Sequence, residues 1–184
     1  MNHDVFMAGF GGQGVLLIGN LLAYATILEG NQASYFPAYG VEKRGGAATC
    51  TIVMSDENVG SPVVGEPEAA LLLNPLSMEK YYQRIRRGGF ALINSSLIDD
   101  DGSNRDDLSL VCIPANEMAL EIGDARLVNM IVLGAYVEYS KVVAVDSLKA
   151  ALEEVLPERN HRFLPMNHQA LEAGALFCRQ ALLS

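Results

Sequence analysis

The sequence contains no tryptophan, and its three cysteines, Cys50, Cys112 and Cys178, stand far apart in apolar surroundings. Iron–sulfur and structural zinc sites need closely spaced thiolates of the C-x-x-C kind, so the chain is expected to hold three buried thiols and no metal cluster. Histidine is equally scarce. His3, His161 and His168 share no H-x-x-x-H spacing, and there is no G-x-S-x-G nucleophile elbow. With no histidine or carboxylate pair beside a glycine loop, complete acid–base machinery is missing and no residue is read as catalytic. Positive charge is also in short supply: 13 Lys and Arg against 22 Asp and Glu leave a net charge of −9. Nucleic acid and anionic membrane surfaces repel such a field and are not expected partners. No apolar run approaches the roughly 20 residues of a membrane span. The opening segment carries Asp4 where a secretory leader carries positive charge, so the expected location is cytoplasmic.

Half of the 184 residues are apolar and 19% are charged, the balance of a globular chain, and residues 1–184 read as a single domain. Short apolar runs at Val5–Ala8, Ala48–Met54, Ala69–Leu73, Phe90–Ile93 and Leu108–Ile113 read as buried strands, with Gln32–Phe36 as a further strand ended by Pro37. Helical spacing runs from Val15 to about Leu28, from Leu76 to Ile85, and through about 115–123, 127–140, 146–156 and 167–182. Asp146-Ser147 and Asn167 are candidate N-caps for the last two helices. Strands that alternate with helices predict a three-layer α/β/α sandwich with a central, largely parallel sheet and a helical C-terminal region.

Two glycine-rich loops carry the functional signal. Gly9-Phe10-Gly11-Gly12-Gln13-Gly14 fits G-x-G-x-x-G between a strand and a helix, where free N–H groups of the helix start attract an anion. A dinucleotide site would add an acidic residue at the end of the second strand; that strand ends in Tyr35-Phe36-Pro37, and Glu29 precedes it. Three readings stay open: a dinucleotide, glycines that only let the helix pack tightly, and contact with an anionic ligand or a partner. The second loop, Tyr39-Gly40-Val41-Glu42-Lys43-Arg44-Gly45-Gly46-Ala47, sets a carboxylate and two cations against paired glycines. It is either a solvated turn with a local Glu42–Arg44 pair or half of a cleft that grips phosphate or carboxylate through Lys43 and Arg44. Gly123-Asp124-Ala125 looks like the start of a thiamine diphosphate G-D-G motif but lacks its final glycine and the Asn-Asn that should follow.

G-x-G-G-Q-G, followed by Y-G-x-E-x-R-G-G ahead of a strand, resembles the gamma subunit of 2-oxoacid:ferredoxin oxidoreductases. Asn74 after an apolar strand, Pro114-Ala115, Asn129-Met130 before Leu133-Gly134-Ala135, and Asn167 with Ala170 and Gly174 extend the resemblance over essentially the whole chain. Val41-Glu42-Lys43 departs from relatives that have Pro or Ser around the Glu. The resemblance implies CoA-dependent oxidative decarboxylation of a 2-oxoacid, with 2-oxoglutarate mildly preferred over pyruvate, and electrons passed to ferredoxin. It implies thiamine diphosphate and iron–sulfur clusters on alpha, beta and ferredoxin-like delta partners, and a role beside coenzyme A for this chain. Carried over by position, Gly9, Gly11, Gly12, Gln13 and Gly14, with Glu42, Lys43, Arg44, Gly45 and Gly46, face that ligand or the partner subunits. A free-standing nucleotide-binding or regulatory module is the alternative, and a purely structural subunit a third. A mean hydropathy of +0.18 adds the expectation of apolar surface that meets another subunit, or a second copy in the isolated chain.

If Arg44 helps to grip an anion, Arg44→Ala lowers the assembled complex's affinity for that ligand about tenfold, the worth of one charge-assisted hydrogen bond. Unchanged affinity and turnover would remove the second loop from the site.

Overall fold

Six strands form one sheet in the order β2-β3-β1-β4-β5-β6 in the computed structural model, which describes residues 2–40, 47–59 and 63–183. The strands are β1 (Asn2–Phe10), β2 (Gln32–Tyr39), β3 (Ala47–Ser55), β4 (Ala69–Leu72), β5 (Phe90–Asn94) and β6 (Ser109–Ile113). β1, β4, β5 and β6 pair in parallel, and β3 runs antiparallel to both of its neighbours. The largely parallel sheet is therefore confirmed, with β3 as its single reversed strand. β4 and β5 are buried at every position, which is why they read as unbroken apolar runs rather than alternating ones.

Pro37 does not end β2 as expected. Gly40 donates its N–H to the Ala47 carbonyl at 2.7 Å, so even-numbered residues of β2 turn their backbone groups towards β3. Pro37 then has its nitrogen on the open edge, where no ladder bond is lost.

The helices are α1 (Val15–Leu28), α2 (Pro75–Tyr81), α3 (Ala115–Ile122), α4 (Val128–Ser140), α5 (Val145–Val155) and α6 (Leu164–Ala181). The two faces of the sheet are covered unequally. The larger core joins Val5, Met7, Cys50, Ile52, Leu71, Leu92 and Val111 of the sheet to α1, α4 and α6. The smaller core, on the opposite face, gathers Ala70, Leu72, Ala91 and Ile93 under Met78, Tyr82 and Ile85 of the α2 region. α4 is apolar all round and buried from Val128 to Glu138, the mark of a helix enclosed by others. No helix among the described residues is long and apolar enough to cross a membrane.

Several local expectations shift. The final helix begins at Leu164, so Asn167 lies inside its first turn and donates its side-chain amide to the Phe163 carbonyl instead of capping. α5 begins after Ala144, and its cap comes from another element: Glu29 accepts from the Ala144 N–H at 2.7 Å and the Ser147 hydroxyl at 2.6 Å. Cys112 is half-buried rather than fully enclosed and donates its thiol to the Asp101 carbonyl, whereas Cys50 and Cys178 are buried. Burial pushes their thiols up to about 12 and about 11, so neither is thiolate at neutral pH.

α4 and α6 cross at two glycines. A Cβ on Gly134 would stand 2.0 Å from the Leu171 carbonyl oxygen, and one on Gly174 would stand 1.9 Å from the Ile131 carbonyl oxygen. Alanine inside a helix ordinarily stabilises it by about 1 kcal/mol relative to glycine. Here the opposing atoms are backbone and cannot rotate away, so the clash outweighs that gain. Gly134→Ala is expected to destabilise the fold by about 1–3 kcal/mol in urea denaturation; a stabilised variant would contradict the close crossing.

Candidate functional site

β1 is the point where the chain reverses direction across the sheet. From it α1 leads to β2 on one side, while β4, β5 and β6 follow on the other. Open α/β sheets take their ligands outside the carboxyl ends of the strands at such a point. Here that position is the gap between the ends of β1 and β4, and the side chain of Gln13 spans it. The Gln13 carbonyl oxygen accepts from the Phe10 N–H at 2.6 Å and from the Asn74 amide at 3.1 Å, while its amide donates to the Leu73 carbonyl at 3.3 Å. Asn94, at the end of β5, donates to the same Leu73 carbonyl at 3.4 Å and to the Asn116 side chain at 2.9 Å. A chain of amides thus ties the ends of β1, β4 and β5 to the start of α3.

The remaining glycine-loop residues follow from this arrangement. Gly9 lies inside β1, Gly11 and Gly12 make the turn, and Gln13 closes it by donating its N–H to the Phe10 carbonyl at 3.1 Å. Gly14 is the N-cap of α1 in a left-handed conformation, φ 75°, and a Cβ there would meet the Asn129 amide nitrogen at 2.1 Å. Glycine is required on both counts. Because Gly14 offers no side chain, the first-turn N–H groups of α1 are left without an internal cap.

Those groups open on a cleft of about 300 Å³ lined by Gly12, Gly14, Asp124, Arg126, Asn129, Phe163 and Asn167, among others. Arg126 reaches over the Phe163 ring, 5.2 Å from its centroid, and pairs with Asp124 at 2.6 Å. The Arg126 guanidinium holds the Asp124 carboxyl down at about 2, so the pair stays ionised. The fragment Gly123-Asp124-Ala125 has a structural role: Gly123 ends α3 at φ 115°, and Asp124 caps the short turn that follows by accepting from the Arg126 N–H. Nothing in sequence spacing joins Arg126 and Phe163 to the glycine loop; only the packing of the helices brings them there.

Glu42, Lys43, Arg44, Gly45 and Gly46 lie outside the described residues. The residues on either side of them do not: Gly40 bonds to Ala47, and Ala47 pairs in register with Phe10, immediately before Gly11. The ends of the second loop therefore sit beside the first. Glu29 is engaged at the start of α5, so among the described residues no acidic side chain is left at the end of β2 for a ribose. His168 is half-buried on α6, with its Nε2 enclosed and unpartnered. His3 lies at the other end of β1, where its Nδ1 stands 3.3 Å from Glu68, which also pairs with Arg86. Among the described residues, no three of His, Cys, Asp and Glu converge as a metal-ligand set.

Gln13→Ala would leave the Phe10 N–H without its acceptor and free the Asn74 amide. The expected loss is about 1–3 kcal/mol in chemical denaturation, accompanied by faster hydrogen exchange at Phe10. Unchanged stability and exchange would show that the amide chain does not hold the strand ends together.

Comparison with known proteins places this geometry. The model of the pyruvate ferredoxin/flavodoxin oxidoreductase family matches residues 4–177. The ketoisovalerate oxidoreductase subunit VorA of Methanothermobacter marburgensis is 36% identical over 180 residues, which cover 97% of this chain and 37% of that one. The chain thus spans a little over a third of that relative's length. The 2-oxoglutarate synthase subunit KorC of Methanocaldococcus jannaschii is 32% identical over 160 residues, 86% of each chain. Among solved structures, the gamma subunit of a keto/oxoacid ferredoxin oxidoreductase from Geobacter sulfurreducens superposes with a TM-score of 0.82 at 26% identity, over 97% of this chain and 99% of that one. By its sequence along almost all of its length, this chain belongs to the pyruvate ferredoxin/flavodoxin oxidoreductase family.

Proposed function

We propose that residues 1–184 act as one gamma domain in the cytoplasm, a subunit of a 2-oxoacid:ferredoxin oxidoreductase. The reaction converts a 2-oxoacid, coenzyme A and two oxidised ferredoxins to acyl-CoA, carbon dioxide, two reduced ferredoxins and a proton. 2-Oxoglutarate, giving succinyl-CoA, is the preferred substrate, since a 2-oxoglutarate synthase subunit of similar length is among the relatives. Thiamine diphosphate, which supplies the stabilised carbanion of decarboxylation, and the iron–sulfur clusters belong to the alpha, beta and delta partners.

The observation that carries this reading is an anion-attracting helix start at the ligand end of the sheet, where the one carboxylate lining the cleft among the described residues, Asp124, is paired with Arg126. Such a site binds and positions; its chemistry comes from elsewhere. The uncapped first turn of α1 offers N–H donors to a phosphate, and a phosphate is what coenzyme A brings. Arg126 adds a cation at the rim, while the amides of Asn129 and Asn167 add neutral hydrogen-bonding groups. Lys43 and Arg44, outside the described residues, are proposed as further cations for the same anion. Against the alternative of a free-standing nucleotide-binding module, Glu29 is already engaged at the start of α5.

Arg126→Ala in the assembled enzyme is expected to raise the KM for coenzyme A about tenfold while leaving that for the 2-oxoacid unchanged. An unaltered coenzyme A dependence would place the ligand outside this cleft. Tight NAD(P) binding by the isolated chain in calorimetry would favour the free-standing module instead.

A further inference from the structure

Two asparagines, Asn129 and Asn167, line the cleft beside α1, and internal bonds fix which end of each amide is free. A backbone N–H only donates and a backbone carbonyl only accepts, so these partners assign both side chains without ambiguity. Asn167 gives its amide to the Phe163 carbonyl at 2.8 Å, which leaves the side-chain oxygen as its free end. Asn129 is set the opposite way. Its Oδ1 accepts from the Met130 N–H at 2.9 Å, so its free end is the Nδ2 donor.

Asn129 is the more constrained of the two. It stands in the first turn of α4 and is only 6% exposed, yet its Nδ2 donates to no acceptor among the described residues. Unlike the His168 Nε2, that nitrogen is not sealed in, because its side chain opens on the cleft. A buried donor in such a position calls for an acceptor from outside the chain. Its surroundings say which kind. A Cβ on Gly14 would stand 2.1 Å from this nitrogen, so the donor lies against the N-cap of α1. The first turn of α1 has neither a side-chain cap nor an acidic residue. Donors from two separate helices thus meet at one place, and a group with acceptor oxygens only, an ionised phosphate, satisfies both sets.

We propose that Asn129 is a specificity-determining residue of the cleft, its Nδ2 donating to the phosphate that the first turn of α1 receives. The inference rests on the coenzyme A reading above and adds the side chain that selects the phosphate.

The test compares Asn129→Asp with wild type in the assembled enzyme. The substitution keeps the shape and keeps an oxygen for the Met130 N–H, and an acidic residue in its first turn suits α4. Its second oxygen replaces the donor, so the phosphate meets a negative charge where it met an N–H. The KM for coenzyme A and the Kd of desulfo-coenzyme A, which lacks the thiol, are each expected to rise at least about tenfold. The kcat, the KM for the 2-oxoacid, the melting temperature and the recovery of partner chains are expected to hold. A purely structural role for Asn129 would move the melting temperature instead. If Asn129→Asp does not assemble, Asn129→Ser replaces it, since serine offers Met130 an acceptor and lacks the Nδ2 donor.

Coenzyme A carries phosphate in two places, and dephospho-coenzyme A, which lacks the 3′-phosphate, separates them. A penalty that persists with it assigns Asn129 to the pyrophosphate, and one that vanishes assigns it to the 3′-phosphate; either sustains the proposal. Unchanged coenzyme A affinity in the folded, assembled variant overturns it. The coenzyme A reading then stands if Arg126→Ala still raises the KM, and both fall if neither variant does.

Discussion

One side chain holds the functional end of this protein in place. Gln13 lies across the gap between β1 and β4, and three of its neighbours satisfy backbone or amide groups through it. The gap is where the two halves of the sheet diverge, so no ladder bond beyond Leu73 N–H to Ala8 carbonyl can close it. A single amide, with a donor and an acceptor on one rigid plane, does so from a turn that only glycines allow. The same turn leaves α1 uncapped, so the stitch that closes the sheet also exposes the donors that attract an anion.

The division of labour in the molecule follows from this. The α4–α6 side supplies most of the buried apolar area and, with two glycines at the crossing, lets the helices approach to backbone distance. The ion pairs are used mainly for positioning. Arg179 meets the Glu138 carboxylate through two nitrogens and holds it down at about 2, while Asp124 and Arg126 shape the turn that enters α4. Among the described residues, the carboxylate lining the cleft beside the glycine loop, Asp124, is thus committed to structure.

The strand–helix alternation was legible in the chain because buried parallel strands are apolar at every position and the helices repeat near 3.6. The glycine loop was legible for a similar reason: its backbone geometry excludes most other residues, so the composition records the conformation. What failed to register were features supplied by distant residues. The cap of α5 comes from Glu29, 115 positions before the Ala144 N–H that it accepts from, so the local Asp146-Ser147 pair was misleading. Pro37 signalled a strand end because proline lacks a donor, but on an open edge that donor has nothing to pair with. Arg126 and Phe163 gave no signal, since they meet only when the α3–α4 and α5–α6 connections pack together over α1.

By itself, the sequence determined the fold class, the turn at Gly9–Gly14, and the family, all of which are written in short-range pattern. Tertiary structure alone decided that β3 runs against its neighbours, that Gln13 closes the sheet, and that Arg126 joins the glycine loop across a cleft. Each of these depends on contacts between residues far apart in the chain, and local propensity carries no information about which distant partner will arrive.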